Sequence, residues 1–420
     1  MSRPFRELAP CYHRTPEASG RIDKLVELAA EQVERSQDSP VIFQGENFLL
    51  RLATHEDQGV LNELVGGIPF GGSTPVHEGR GEDFFALRKL QSSQFGEPPM
   101  TFIVHSQGGE PIGCLTVVVR PARIGSQVLR IGEICDVRID PGSRSGDVFP
   151  GVLKSALDYV GNWYDIEVFR TAVFGEDFRG LWPWLRRNKK RYEQPMAQVM
   201  SRMDVVWLPI NLRRLPRPSR HVQRATEIDR EELVAFLLKS EATRRMGASL
   251  TPAQLSRRFA TWPTFGVENF QLVRGSSGQI VGCGAPWNAQ SLRTFRLGSA
   301  SQGAQWSRAR FNWRARLTGL GALPGRGQDL EPLLVTHMEV AEDEPGILRD
   351  LLIGILRDME PTHQKGLLFA VPKTRTFDRA LEGFPTYRIP MSLLAITPAG
   401  TPWNNMDFRA RRAGFELAFL

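Results

Sequence analysis

The sequence predicts a mixed α/β fold built twice, as two tandem, related domains, and three observations predict it. Strand and helix patterns recur in the same order in the two halves of the chain, each half contains an antiparallel hairpin pattern, and a strand, crossover helix and further strand close each half. At 420 residues the chain is also too long for one ordinary core and suits two domains.

The first matched block is a short strand and a capped helix. Phe48-Leu49-Leu50-Arg51-Leu52 reads as a strand, Thr54 as a helix cap, and Val60, Leu61 and Leu64 as a helix face; Val222–Thr226 followed by Leu233, Phe236 and Leu237 repeats the design, with Asp57 matched by Asp229. The second block is a hairpin. Ile103-Val104 runs through Gly109 to Ile112-Gly113-Cys114, and Leu272-Val273 runs through Gly278 to Val281-Gly282-Cys283. The third pairs strand Glu133–Ile139 and helix Val152–Val160 with strand Leu333–Val340 and helix Ile347–Met359, followed by strands Glu167–Phe174 and Leu367–Val371.

These blocks divide the chain into an N-terminal helical extension (1–45), a first domain (46–207), a proline- and arginine-rich linker (208–221) and a second domain (222–420) with an arginine-rich insertion (286–331). The extension carries Ile22, Leu25, Val26, Leu28, Ala29 and Val33 near helical spacing, as a cap or a dimer contact. Hydrophobic residues at 41% and charged residues at 24% fit a soluble globular protein. No apolar run reaches the length of a membrane helix and the first residues are charged, so a cytoplasmic protein is expected. Cys11, Cys114, Cys135 and Cys283 lie far apart, without zinc spacing; they read as reduced, buried thiols, and no metal is expected. A formal charge of +7 favours an anionic partner without naming one.

The stretch Glu133-Ile-Cys-Asp-Val-Arg-Ile139-Asp-Pro141-Gly-Ser-Arg144-Ser-Gly146 resembles the central motif of the GNAT superfamily of acyl-CoA N-acyltransferases, with Ile139, Pro141 and Arg144 at matching positions. Through the order of elements the resemblance covers residues 46–205 and, more faintly, 218–395. It implies an acetyl-CoA or longer acyl-CoA co-substrate held by Val137, Ile139, Arg144, Ser145, Gly146, Asp147, Val148 and Phe149. Backbone N–H groups at the following helix start would receive the pyrophosphate. Asp147 and Phe149 stand where the family has two small residues. The resemblance further implies Glu133 as the general base that deprotonates an amine, with attack direct on the thioester and the acceptor a small-molecule or protein amine. Asp136 is the other carboxylate, on the opposite sheet face unless a bulge intervenes. The tyrosine that many members place on the next helix has no counterpart. The spacing there recovers Asp177, Gly180 and Trp184, with Tyr192 nearby.

In the second half Leu334 replaces Glu133, and Glu342, Asp343 and Glu344 stand where a pyrophosphate would lie. This half is expected to have lost the acyl-CoA site, with His337 a strand residue making a local hydrogen bond. From Ala289 to Gln328 there is no acidic residue, yet seven arginines occur, with Trp306, Phe311 and Trp313 among them. Such a segment suits an anionic-ligand or acyl-group cover, or a partly buried cover with solvated arginines; nucleic acid is not the expected partner. The first expectation is thus an N-acyltransferase with a catalytic N-terminal and a degenerate C-terminal domain. The alternative is a non-catalytic tandem module that binds a protein or an anionic ligand.

Overall fold

The computed structural model describes residues 40–71, 74–143, 148–175, 195–209, 215–298, 302–318, 322–359, 365–409 and 412–419. The predicted N-terminal helix, Arg144–Asp147, and the stretch holding Asp177, Gly180, Trp184 and Tyr192 lie outside them.

In the first half the strands are β1 (Val41–Gln44), β2 (Leu49–Leu52), β3 (Val76–Arg80), β4 (Met100–His105), β5 (Pro111–Ile124), β6 (Gln127–Ile139), β7 (Phe169–Phe174) and β8 (Met196–Pro209). Its helices are α1 (Gln58–Gly67), α2 (Ala86–Ser92) and α3 (Val148–Tyr164). The second half contributes β9 (His221–Arg224), β10 (Gln271–Arg274), β11 (Ile280–Trp287), β12 (Arg293–Leu297), β13 (Pro332–Val340), β14 (Gly366–Pro372) and β15 (Tyr387–Thr397). Its helices are α4 (Arg230–Ala242), α5 (Pro252–Thr261), α6 (Gln302–Thr318), α7 (Pro345–Asp358) and α8 (Arg375–Ala380).

The three matched blocks fold alike. Asp57 accepts from the backbone N–H of Thr54 at 2.8 Å and Asp229 from that of Thr226 at 2.8 Å, which satisfies donors at the two helix starts. Gly109 and Gly278 both adopt φ of +83° in the turns of the β4–β5 and β10–β11 hairpins, a conformation open to glycine without steric cost. Helix α3 buries Val152, Leu153, Ala156, Leu157 and Val160, and α7 buries Ile347, Leu348, Leu351, Leu352 and Ile355. The spacing of three and four puts each set on one face against the sheet, and each fully buried aliphatic side chain stabilises by about 1.5–3 kcal/mol.

The halves are welded at their last strands. Among the described residues thirteen strands form one sheet in the order β1-β2-β4-β5-β6-β7-β15-β8-β14-β13-β11-β10-β9. β15, the last strand of the second half, lies between β7 and β8, while β8 pairs with β14 of the second half. Ile42–Leu420 accordingly pack as one unit. The expected linker at 208–221 therefore begins inside a strand: Leu208 and Pro209 end β8, opposite Leu367 and Gly366. Its later part is docked, with Ser219 donating from N and Oγ to Asp350 at 2.7 Å each and Arg220 pairing with Asp350 and Glu344.

The insertion expected from Pro286 starts one strand end later, because Pro286 and Trp287 still pair with Val335 and Leu334. It then sends β12 across to β3 of the first half, forming a two-stranded ribbon that local patterning did not suggest.

Candidate functional site

β6 and β13 are each bent by a bulge at the same place. Asp136 has φ of +52° and His337 φ of +51°, three residues before the strand ends Ile139 and Val340. The neighbouring strand registers shift between Cys114 and Thr116 and between Cys283 and Ala285. The thiols of Cys114 and Cys283 donate to the carbonyls of Asp136 and His337 at 3.6 Å, so the two buried cysteines are part of the bulge. Burial pushes the Cys114 and Cys135 thiols up to about 12, which leaves them un-ionised.

Just before the bulges the parallel strand pairs separate. β6 and β7 are paired only from Gly132–Ile134 to Phe169–Thr171, and β13 and β14 only from Pro332–Leu334 to Gly366–Leu368. Past those points the strands run on to Ile139 and Phe174, and to Val340 and Pro372. Each divergence leaves backbone donors and acceptors of one strand unpaired with the other, and these groups need partners. Val137 and Ile139 lie on the diverging part of β6 and pack with the core under α3; Val148 and Phe149 open α3 and pack against that same core. Directly after β6, Asp140 Oδ2 accepts from the N–H of Gly142 at 2.8 Å and of Ser143 at 3.2 Å.

Glu133 sits where β6 still pairs with β7, opposite Arg170. One of its carboxylate oxygens accepts from Arg120 Nε at 2.7 Å and the other from Arg170. Although burial raises the carboxyl, the two guanidiniums outweigh it and hold Glu133 down at about 2. A carboxylate so clamped is a weak proton acceptor. Glu133 is the residue that the sequence resemblance implies as the base. The bulge does bring Asp136 round to the face of Glu133, but Arg88 donates to both its oxygens, at 2.6 and 2.5 Å, and Arg80 pairs with it too. Those arginines hold it below the usual carboxylate range. Glu78 completes the cluster by pairing with Arg80, Arg138 and Arg293 at 3.1, 3.0 and 2.8 Å.

The divergence of β13 and β14 opens into a small cleft, with a cavity volume of about 70 Å³. Glu241, Glu339, Asp343 and Glu416 line it together with Arg244, Arg258, His337 and Arg412. Glu339 pairs with Arg244 at 2.6 Å, and Asp343 accepts from Arg412 Nε at 2.7 Å. Arg258 Nη1 lies 2.9 Å from His337 Nε2; because arginine only donates, Nε2 must accept, which places the ring proton on Nδ1, 2.7 Å from Thr336 Oγ1. Burial and Arg258 both lower the His337 pKa, so the ring is neutral and locally bonded, as its place on a strand suggests.

Glu416 differs from Glu133 and Asp136, because burial raises its carboxyl, as it also raises that of the arginine-paired Glu339. Glu416 accepts from the backbone N–H of His337 at 3.1 Å and of Ala418 at 3.3 Å, and its side chain is 22% exposed. The segment that carries it threads between the halves: the Gly414 carbonyl accepts from Arg170 on β7, and the Phe419 carbonyl accepts from Arg88 on α2 at 2.6 Å. Glu241, Glu339 and Glu416 were not singled out from the sequence. The only signal for Glu416 is one acid inside the otherwise apolar run Ala413–Leu420.

No protein-family profile matches the chain, and no curated protein matches it in sequence. Solved structures do match. N-myristoyltransferase of Saccharomyces cerevisiae with bound myristoyl-CoA aligns with a TM-score of 0.54 over 90% of this chain and 91% of that one, at 9% identity. A second structure of that enzyme, with myristoyl-CoA and inhibitors, gives 0.52 over 91% and 88%, at 10% identity. The GCN5-related glucosamine N-acetyltransferase region of a fungal multi-domain GH3 beta-N-acetylglucosaminidase gives 0.51 over 86% of this chain and 39% of that one, at 11% identity.

The chain shares the fold of these N-acyltransferase structures. Within the GNAT-like fold the two halves carry different chemistry on one scaffold. At the position of Glu133 the second half has Leu334, and the acids before α7 are engaged: Asp343 with Arg412 and Glu344 with Arg220. Among the described residues no group of three or more histidine, cysteine or acidic side chains is arranged to hold a metal. No described helix is long and apolar enough to cross a membrane.

Proposed function

We propose that the protein is an acyl-CoA-dependent N-acyltransferase in which the diverging β6 and β7 of the N-terminal half receive the acyl-CoA and the acid-lined cleft of the C-terminal half receives the amine. The observation that carries this reading is the divergence of β6 from β7 after Ile134, directly before the loop and helix start at Val148. Backbone groups freed there are suited to an extended, amide-bearing arm, and the α3 N-terminus, with Arg144–Phe149, is suited to a pyrophosphate. Four carboxylates against three guanidiniums leave the cleft slightly acidic, which favours a cationic amine.

In this reading Glu416 first takes one proton from the ammonium, which frees the nitrogen lone pair, and the neutral amine then attacks the thioester carbon. The new C–N bond forms, the C–S bond breaks, and the second N–H proton goes to the departing thiolate, so that CoA leaves as the thiol. Glu133 keeps Arg120 and Arg170 in place at the junction of the halves. The acyl group is acetyl or longer, and the acceptor a small-molecule or protein amine.

Thermal stabilisation by acetyl-CoA and longer acyl-CoAs, followed by CoA release with a panel of amines, tests the proposal. A chain indifferent to every acyl-CoA, with no CoA released, would sink it. That outcome would favour the second reading, a non-catalytic module binding a protein or an anionic ligand, which the clamped state of Glu133 and Asp136 also suits.

A further inference from the structure

Helix α6 presents two unlike faces. Phe311 and Ala315 are buried, and the Phe311 ring packs edge-on against Tyr387, with centroids 6.0 Å apart. On the opposite side Trp306 is 78% exposed, Trp313 63% and Leu317 67%. At 3.6 residues per turn, positions 306, 310, 313 and 317 fall on one stripe about 16 Å long, which aligns Arg310 with the two indoles and Leu317. Arg316 is also exposed beside it. No acidic residue occurs between Ala289 and Gln328.

Exposing two tryptophans and a leucine to water on one ridge is costly unless something covers them, and the covering surface must be negatively charged. We propose that α6 is a peripheral docking helix for an anionic lipid bilayer. Indole rings favour the headgroup level, the leucine reaches the acyl boundary, and the flanking guanidiniums meet lipid phosphates. A stripe of exposed indoles and leucine flanked by guanidiniums suits a broad deformable anionic surface. A nucleic acid would take up the arginines and stack on the indoles but leave Leu317 without an apolar partner.

The test is co-sedimentation of the full chain with vesicles of phosphatidylcholine alone and of phosphatidylcholine with phosphatidylglycerol. Binding is expected only to the second, weakening as salt rises. W306S/W313S and R310Q/R316Q should each lower partitioning about tenfold or more while melting like the wild type, since these side chains face solvent. Wild-type protein that stays in the supernatant with anionic vesicles overturns the proposal, as does a W306S/W313S variant that binds unchanged. Salt-sensitive retention on single-stranded DNA, lost in both variants and without vesicle binding, would overturn it too and assign the face to nucleic acid.

Discussion

Asp136 and His337 occupy the same bulge in the two halves of the molecule, each with a left-handed backbone and each with its carbonyl bonded by the thiol of a cysteine on the next strand. The backbone device is duplicated while the chemistry is not. Asp136 is an anion gripped by Arg80 and Arg88, and His337 is a neutral ring gripped by Arg258. The same bend thus serves an ionic cluster in one half and the wall of a cleft in the other.

Asp136→Asn removes the carboxylate that buried Arg80 and Arg88 share, although Arg80 keeps Glu78. Loss of one member of such a buried pair costs about 3–5 kcal/mol, so urea denaturation should show a large drop in midpoint. A variant as stable as the wild type would mean that the cluster contributes nothing to the fold.

Glu133 links stability to acid. Its folded value of about 2 lies below the ordinary 4.5, so its contribution is complete above pH 4.5 and is lost as the pH falls towards 2. Asp136 acts in the same direction. Melting temperature measured across this range should fall steeply for the wild type and less steeply for Glu133→Gln, which is already destabilised at neutral pH.

Glu416→Gln separates a proton acceptor from a structural carboxylate. Activity should fall about 10²-fold or more with little change in melting temperature, and the acidic limb of the kcat/KM profile should disappear. That limb should lie above the ordinary glutamate range in the wild type because the Glu416 carboxyl is raised. An unchanged profile would remove Glu416 from the reaction.

Gly414→Ala tests the path of the segment that carries Glu416. A Cβ there would fall on the Cα and N of Gly247, backbone atoms that cannot turn aside as a side chain end can. Overpacking of this kind costs about 1–3 kcal/mol, and the displaced segment should lower activity even at temperatures where the variant remains folded. Wild-type stability and turnover would show that the close approach is not required.

The sequence alone determined the local units and their duplication. The Thr54–Asp57 and Thr226–Asp229 caps, the glycine turns at 109 and 278, and the helix faces of α3 and α7 depend on residues a few positions apart, and local pattern carries that information. The likeness of Ile139–Arg144 to an acyltransferase motif was legible for the same reason. Only the tertiary structure decided where β15 goes, since pairing between Leu394 and both Thr171 and Val199 is set by packing across the whole sheet. It also decided what Glu133 and Glu416 are. The two are alike as glutamates; one is wrapped by Arg120 and Arg170 and pushed down, while the other is carried by the last segment into a cleft and pushed up. A carboxylate's proton affinity belongs to its surroundings, and those come from residues distant in the chain.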